Sequence, residues 1–138
     1  MTDDLCHLAN DLRLACQRIS RRVRFEGTEE IAPHQASVLF RLDRPRTPGD
    51  LADTERVSAP SMTRTIGGLA DLGLVARTPH PTDGRQVLVS RTAAGEELAI
   101  RTRAQRDSWM LTRIETLPPE DLATLRRATD ILLEVSGR

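Results

Sequence analysis

The sequence predicts a mainly α-helical fold with one small β-ribbon. Apolar residues recur at steps of three and four along several segments, which is the spacing of one face of an α-helix. Two short β-type runs, residues 74–78 and 87–90, bracket a loop rich in Pro, Asp and Gly, as in an antiparallel ribbon. A chain of 138 residues is long enough for one hydrophobic core and short for two ordinary domains.

The first two helices follow from apolar spacing and from one proline. Residues 3–24 predict an amphipathic helix in which Asp and Arg separate the apolar positions. A second helix is expected to begin at Pro33, a residue suited to a first turn, and to run to about Asp43. The apolar face of the first helix comprises Leu5, Leu8, Leu12, Ala15, Ile19 and Val23.

Two short helices joined by a tight turn are predicted next. The first follows Thr47, whose hydroxyl can cap a helix, and has Pro48 at its first position. The second follows Ser58 and continues at helical spacing to Gly73, which suits the left-handed position that ends a helix. This is a helix-turn-helix pattern, and the ribbon that comes after it forms a wing.

The chain then continues in two further helices. Thr92 is expected to cap a long helix that reaches about Leu117, and residues 118–121 begin the last one. The first and last helices carry apolar stripes that little else in the chain can cover, so a second copy of the protein is the predicted partner. The apolar face of the last helix comprises Leu122, Leu125, Ala128, Leu132 and Val135.

These elements predict a winged helix-turn-helix flanked by N- and C-terminal dimerisation helices. We expect one domain over residues 1–138, in which residues 33–91 form the lobe that contains the wing. Residues 3–24 and 93–136 form the dimerisation helices. No apolar run is long enough to span a bilayer and the N-terminus is acidic, so we expect a cytoplasmic protein.

The charge distribution indicates a local electropositive segment. The chain has a net charge of zero, which by itself favours no nucleic-acid partner. Residues 25–55 contain three Arg and seven acids, whereas residues 56–91 contain five Arg and two acids. Because phosphate contacts are local, the bias of the second segment is compatible with binding to duplex DNA.

The helix after Ser58 carries side chains suited to a DNA major groove. Its polar face offers small residues and hydrogen-bond donors close to the helix N-terminus, and Arg64 could fork onto guanine O6 and N7. The alternative is the solvated face of an ordinary surface helix, and the wing directly downstream favours DNA. The candidate residues on this helix are Ser58, Pro60, Ser61, Thr63 and Arg64.

The ribbon adds three further candidates. Arg85, near the loop tip, could enter a minor groove, where narrow A·T tracts concentrate negative potential. Asp83 would then orient the guanidinium of Arg85, although an exposed Asp-Gly turn with an adjacent salt bridge is a common alternative. Arg77, near the end of the first strand, is a candidate phosphate contact.

The arrangement of motifs resembles the MarR (multiple antibiotic resistance regulator) family from about residue 8 to residue 135. The spacing of Asp83-x-Arg85 and Thr92-x-x-Gly95 is the most specific part of the resemblance. Two departures are Arg91, where the family usually has Leu, and a turn without the common glycine between the two short helices. The remaining matching pieces are Leu51-Ala52, Val57-Ser58, Thr63-Arg64-x-Ile66-x-x-Leu69, Leu72-Gly73-Leu74-Val75 and Arg77.

The resemblance implies a homodimeric repressor that binds a pseudopalindromic operator in double-stranded DNA. It also implies that Asp83 and Arg85 act as a wing-tip pair. A small phenolic or anionic effector is expected to bind where the dimer helices meet the DNA-binding lobes, and its lining residues are unknown from the sequence. A winged-helix module that binds proteins instead of DNA remains an alternative.

The Cys and His residues bear on redox and metal chemistry. Cys6 and Cys16 lie ten residues apart in one helix and cannot pair within it, and Cys16 is expected to act as a small buried hydrophobe. A cysteine-based redox regulator is a further alternative. The three His residues show no metal-ligand spacing and no catalytic motif occurs, so neither a cofactor nor an enzyme is predicted.

Overall fold

The computed structural model describes residues 1–27 and 29–137, which form six helices and one two-stranded antiparallel sheet. The strands are β1 (Val75–Pro79) and β2 (Val87–Arg91). The predicted mainly α fold with a small β-ribbon is confirmed. The helices are α1 (Thr2–Val23), α2 (Pro33–Arg41), α3 (Pro48–Glu55), α4 (Ala59–Asp71), α5 (Ala93–Ile114) and α6 (Pro119–Val135).

The chain forms two compact units, residues 1–106 and 107–138, whose boundary falls within α5. The first unit contains the two short helices, the ribbon and the hydrophobic core. In the second unit, α6 buries none of its residues. No helix in the described part of the chain is long and apolar enough to cross a membrane.

Two hydroxyl caps determine where α3 and α4 begin. Thr47 Oγ1 accepts a hydrogen bond from the amide of Asp50 at 3.1 Å, and Ser58 Oγ accepts one from the amide of Ser61 at 3.2 Å. Each cap satisfies an amide that the first turn of a helix leaves without a backbone partner. Both caps are those that the sequence predicts.

The turn between α3 and α4 contains Arg56 where a glycine would be the easier choice. Arg56 adopts the left-handed conformation, with φ 55° and ψ 46°. A side chain in this conformation costs roughly 1 kcal/mol, and two hydrogen bonds to the end of α3 accompany it here. The amide of Arg56 donates to the carbonyl of Asp53 at 3.2 Å, and that of Val57 to Ala52 at 3.0 Å.

The apolar faces of α2, α3 and α4 meet in one core that also includes the inner side of the ribbon. Leu51, Leu69 and Val89 are fully buried there, one from each of α3, α4 and β2. This packing holds α4 with its opposite face in solvent. The core comprises Ile31, Ala36, Val38, Leu39, Leu42, Leu51, Ala52, Met62, Ile66, Leu69, Leu74, Val75, Val89, Leu98 and Ala99.

The ribbon is tied to the loop before α3. In the sheet, Val75 lies opposite Arg91 and Pro79 opposite Val87. On the other side of β2, Arg46 and Val89 exchange two backbone hydrogen bonds of 3.0 and 2.8 Å. The base of the wing is therefore held on both sides of β2.

Arg91 is held at a largely buried position by hydrogen bonds and one ion pair. Its side chain is largely buried, and its Nε and Nη2 atoms donate to the carbonyls of Leu39 and Phe40 at 2.8 and 3.2 Å. Its Nη1 atom also pairs with Glu96 at 3.0 Å. The guanidinium thus satisfies carbonyls at the C-terminus of α2 and links that helix to the first turn of α5.

The start of α5 lies in direct contact with the segment that leads into β1. Thr92 Oγ1 donates to the carbonyl of Gly73 at 2.6 Å and accepts from the amide of Gly95 at 3.1 Å. A Cβ atom at Gly95 would overlap the carbonyl oxygen of Leu74. In the Thr92-x-x-Gly95 motif, Thr92 therefore caps α5, and Gly95 allows the helix to lie against the Leu74 backbone.

The apolar face of α1 is not buried within the chain. No residue of α1 is buried, and Leu5, Leu8 and Leu12 are exposed. The expectation that Cys16 is buried is wrong for the isolated chain, because both Cys6 and Cys16 are exposed.

Substitution of Gly95 by Ala should destabilise the fold. Alanine favours a helix by about 1 kcal/mol over glycine, but the overlap with the Leu74 backbone should cost more and lower the free energy of unfolding by about 1–3 kcal/mol. Urea denaturation at fixed protein concentration measures this change. Gly49→Ala is the matched control, since Gly49 lies in the first turn of α3 and no atom comes within 4 Å of the place its Cβ would take. Equal unfolding midpoints for the two variants would contradict the contact.

Candidate nucleic-acid interface

The first turns of α4 present short polar side chains to solvent. Ser58, Pro60, Thr63 and Arg64 are exposed, and Ser61 is half-buried. The opposite face of the same helix is anchored in the core by Met62, Ile66 and Leu69. The residues predicted for this surface therefore share the solvent side of α4, and their contact with DNA stays a prediction.

The hydroxyl groups on α4 are engaged locally. Thr63 Oγ1 donates to the carbonyl of Ala59 at 2.9 Å, and Ser61 Oγ accepts a long hydrogen bond of 3.4 Å from Arg64 Nη2. Ser58 serves as the N-cap, as described above. These bonds hold the side chains against the helix and leave most of the Arg64 guanidinium in solvent.

Four guanidinium groups of the helix-turn-helix and wing are exposed without a carboxylate partner. In residues 1–27 and 29–137, no ion pair involves Arg56, Arg64, Arg77 or Arg85. An unpaired surface guanidinium keeps its full attraction for phosphate, because no neighbouring carboxylate offsets its charge. The local excess of Arg seen in the sequence is therefore exposed and is not offset by ion pairs in these residues.

Arg46 differs from these four residues. Its guanidinium pairs with Asp50 at 3.2 Å and with Asp43 at 3.3 Å, and its Nε atom donates to the carbonyl of Arg41. The hydrogen bond with Asp50 is the largest of the effects that raise the pKa of Arg46. Arg46 therefore supports the loop before α3.

Arg77 extends from the ribbon to the side of α4. Its Nη2 atom lies 3.9 Å from the position that a Cβ atom would occupy at Gly67. A side chain at this position would only touch the guanidinium, so the distance records proximity and not a requirement for glycine. The structure thus brings the candidate phosphate contact of β1 next to the helix that bears Arg64.

The wing loop is organised by Asp83, in a different way from the prediction. The carboxylate of Asp83 accepts a hydrogen bond from the backbone amide of Arg85 at 3.1 Å. No ion pair joins it to the Arg85 guanidinium within the described residues, so the expectation that Asp83 orients that guanidinium directly is wrong. Asp83 instead shapes the backbone from which the exposed Arg85 side chain projects.

A shallow cleft of about 370 Å³ lies between the wing and the start of α3. Arg85 lines one side and the capped N-terminus of α3 lines the other. Pro48 has no N–H and the amide of Asp50 already donates to Thr47 Oγ1, so Arg85 supplies the positive charge of this cleft. The lining residues are Thr47, Pro48, Gly49, Arg85, Gln86 and Val87.

Sequence reasoning missed two residues of this surface. Arg56 has no signal in the local sequence, because its exposure depends on the left-handed turn before α4. His80 matches no metal-ligand spacing, and its ring instead accepts hydrogen bonds from backbone amides of the wing loop. The sequence signal for His80 is its place two and three residues before Thr82 and Asp83, the spacing of a side-chain-capped turn.

Comparison with known proteins identifies the family. A family model described as MarR family matches residues 31–86, the part that contains α2 to the wing loop. An uncharacterized HTH-type transcriptional regulator of Mycobacterium leprae is 45% identical over 138 residues, with 98% of this chain and 96% of the relative covered. The chain belongs to the MarR family. It is a transcriptional regulator of this family and not an enzyme.

Solved structures agree with this MarR-family fold. Wild-type MarR from E. coli has a TM-score of 0.76 and 25% identity, with 91% of this chain and 96% of that chain covered. A MarR family protein from Bacillus stearothermophilus has a TM-score of 0.84 at 20% identity, with 100% and 99% covered. The winged helix-turn-helix assignment is thereby confirmed. In the described part of the chain, no three His, Cys, Asp or Glu side chains are grouped as a metal site.

Proposed function

We propose that this MarR-family regulator is a homodimeric repressor that binds a pseudopalindromic operator and is released by a small anionic or phenolic effector. The observation that carries the proposal is the exposed face of α4, flanked by the unpaired guanidinium groups of Arg64, Arg77 and Arg85. Two-fold symmetry would place two such helices in successive major grooves, about 34 Å or 10 bp apart.

The residues divide into base-reading and backbone-binding groups in this proposal. Arg64 on α4 reads a base edge, because its guanidinium stands on the side of the helix opposite the core. Arg85 enters the minor groove at the flank, and Arg77 binds phosphate beside α4. Ser58, Pro60, Ser61 and Thr63 line the approach to the groove. Asp83 shapes the wing.

Replacement of Arg64 and Arg85 by Ala should weaken DNA binding in two different ways. Loss of a bidentate base contact by Arg64→Ala should raise the Kd for the operator by about 5- to 150-fold and relax preference at one base pair of each half-site. Arg85→Ala should act through A·T-rich flanks and reduce the salt slope by about 1 per protomer. Protection mapping upstream of the protein's own coding region would supply the operator, and fluorescence anisotropy would measure both effects.

The control for these variants is Arg101→Ala. Arg101 lies on α5 and pairs with Glu30 at 3.3 Å, so its loss removes one positive charge elsewhere in the chain. The control should bind the operator as the parent does, apart from a small general charge effect. Parental affinity in both Arg64→Ala and Arg85→Ala would show that the assigned surface is wrong.

The homodimer is proposed from two exposed apolar faces, each considered by itself. Leu5 and Leu8 on α1 are 67% and 54% exposed, and Val135 on the apolar face of α6 is 76% exposed. Contiguous apolar surface of this kind usually marks an interface, because water contact with it is unfavourable. A second copy of the chain is the simplest partner that carries the same faces.

The variant Leu8→Glu/Leu12→Glu should convert the dimer to a monomer. The two side chains lie one turn apart on the same face of α1, and a carboxylate in an apolar interface costs several kcal/mol. Sedimentation equilibrium at micromolar concentration measures the change. Leu14→Glu is the matched control, since Leu14 is also exposed but lies about 200° around the helix from Leu12. A monomeric parent, or a dimeric double variant, would rule out this interface.

The effector site is proposed around Phe40. The guanidinium groups of Arg103 and Arg106 lie over its ring, at 5.6 and 4.8 Å from the centroid. Burial, and then the charge of Arg24, lowers the pKa of Arg106. No ion pair with a carboxylate involves these three Arg residues within the described part of the chain. An aromatic carboxylate would supply both the missing negative charge and a ring to stack.

Removal of this cationic pair should abolish recognition of aromatic anions. We expect benzoate and 4-hydroxybenzoate to bind the parent and neutral benzamide to bind at least tenfold more weakly, by titration calorimetry, since a lost charge-assisted pair costs about 1.5–3 kcal/mol. Arg103→Gln/Arg106→Gln should lose the distinction, and Arg101→Gln on the same helix should keep it. Unchanged anion binding by the double variant would place any effector elsewhere, without affecting the proposal for DNA.

The protein-interaction alternative makes an opposite prediction about salt. A protein that binds DNA phosphates releases the counterions condensed on the duplex, so its affinity for duplex DNA falls steeply as the salt concentration rises. A module that binds protein partners through the same surface would show no such duplex binding. The exposed guanidinium groups favour steep salt dependence, as expected for DNA binding. The alternative of a redox regulator has no support from Cys6 or Cys16, since no contact of either residue within the described part of the chain points to a redox partner.

A further inference from the structure

We propose that His80 is a positioning residue for the wing tip and that it performs this role only with a neutral imidazole ring. The inference rests on the proposed function, in which the wing contacts DNA through Arg85. It adds a dependence of DNA binding on pH that originates in one side chain.

The His80 ring lies at the base of the wing loop as a hydrogen-bond acceptor. Its Nδ1 atom accepts from the backbone amides of Thr82 at 3.2 Å and Asp83 at 3.1 Å. The hydroxyl of Thr82 lies 3.4 Å from the same nitrogen. The ring thus holds two successive amides of the loop, as a capping carboxylate or hydroxyl would.

Backbone hydrogen bonds continue this arrangement to the wing tip. The amide of His80 donates to the carbonyl of Gln86 at 3.2 Å, and the amide of Gln86 donates to the carbonyl of Asp83 at 3.0 Å. The carboxylate of Asp83 then accepts from the amide of Arg85 at 3.1 Å. The ring therefore fixes Asp83, and Asp83 fixes the backbone that carries the Arg85 side chain.

The protonation state of the ring decides whether these bonds exist. The two amide N–H groups share the single lone pair of Nδ1, so the ring must carry its hydrogen on Nε2. Protonation places a hydrogen on Nδ1 as well, and the nitrogen then opposes two donors. Histidine is the side chain that commonly changes charge between pH 5 and 8, so mild acid should release the loop.

Charged side chains near the wing belong to the ribbon, to the two helices packed against it and to the loop before α3, where Arg46 pairs with β2. Within the described residues, none of them hydrogen-bonds or forms an ion pair with the ring of His80. These charged residues are Arg77, Asp83, Arg85 and Arg91 in the ribbon, Arg46 in the loop before α3, Asp50, Asp53 and Glu55 in α3, and Arg64 and Asp71 in α4.

The added positive charge of a protonated ring opposes the predicted effect. A cation near the wing would attract phosphate, but this attraction is screened over about 10 Å at 0.1 M salt. The loss of the acceptor that the two amides share is local and does not depend on salt. Measurements at 0.1 M and 0.3 M salt therefore separate the two contributions.

The first experiment follows the loop without DNA. In the full-length protein, the amide NMR signals of Thr82 and Asp83 should shift with the same midpoint as the His80 ring protons between pH 7.5 and 5.5. In His80→Asn, the amide oxygen takes the place of Nδ1 and does not titrate, so these two signals should show no such step. Amide signals that ignore the ring titration in the parent would overturn the proposed role of the ring.

The second experiment measures DNA affinity. The probe is a duplex selected from a random pool with the parent protein at pH 7.5. The parent should lose about tenfold more affinity than His80→Asn on moving to pH 5.5, at both salt concentrations, which corresponds to the loss of one to two net hydrogen bonds. His80→Phe, which has a ring but no acceptor, should bind weakly at both pH values. The Asn variant should restore parental binding at pH 7.5.

The outcomes distinguish this inference from the proposed function. Equal losses in the parent and His80→Asn, or parental affinity in His80→Phe at pH 7.5, would overturn the role of His80 and leave DNA binding intact. Tighter binding by the parent at pH 5.5 would overturn it as well. Failure to select any duplex at pH 7.5 would overturn the proposed function, while the NMR experiment would still decide whether the ring holds the loop.

Discussion

The closure of α5 onto the segment before β1 is the contact on which the rest of the first unit depends. Thr92 binds the carbonyl of Gly73 while it caps α5, and Gly95 allows the helix to approach the Leu74 backbone. The end of α4, the start of the ribbon and the start of α5 are thereby held at one point. The direction of the wing relative to α4 follows from this contact, because β1 begins at the next residue.

Some guanidinium groups of the chain are neutralised by carboxylates, and others remain unpaired and exposed. Arg46 and Arg91 are bound to carboxylates and to carbonyls, and they join α2 to its neighbours. Arg64 and Arg85 have no such partner in the described residues and project into solvent. A chain with no net charge can therefore present unpaired guanidinium groups, since the carboxylates of Asp43, Asp50 and Glu96 pair with Arg46 and Arg91 instead.

Much of this site could be predicted because its signals are local. Ser58 and Thr47 occupy cap positions whose hydroxyls bond three residues ahead, and that spacing is visible in the sequence. The role of Asp83 was only partly predicted, because a carboxylate two residues before Arg85 can reach either its amide or its guanidinium. The buried state expected for Cys16 was wrong for the same kind of reason: helical spacing assigns a face but does not say what covers it.

The sequence by itself determined the order of the helices, the helix-turn-helix, the wing and the family resemblance, because periodicity, caps and turns depend on neighbours within a few residues. Tertiary structure alone decided that Arg91 binds the end of α2, that Arg77 lies beside Gly67, and that α1 leaves its apolar face exposed within one chain. Each of these facts depends on groups far apart in the chain or on close packing. Such distances are set when the core forms and have no signature in local spacing.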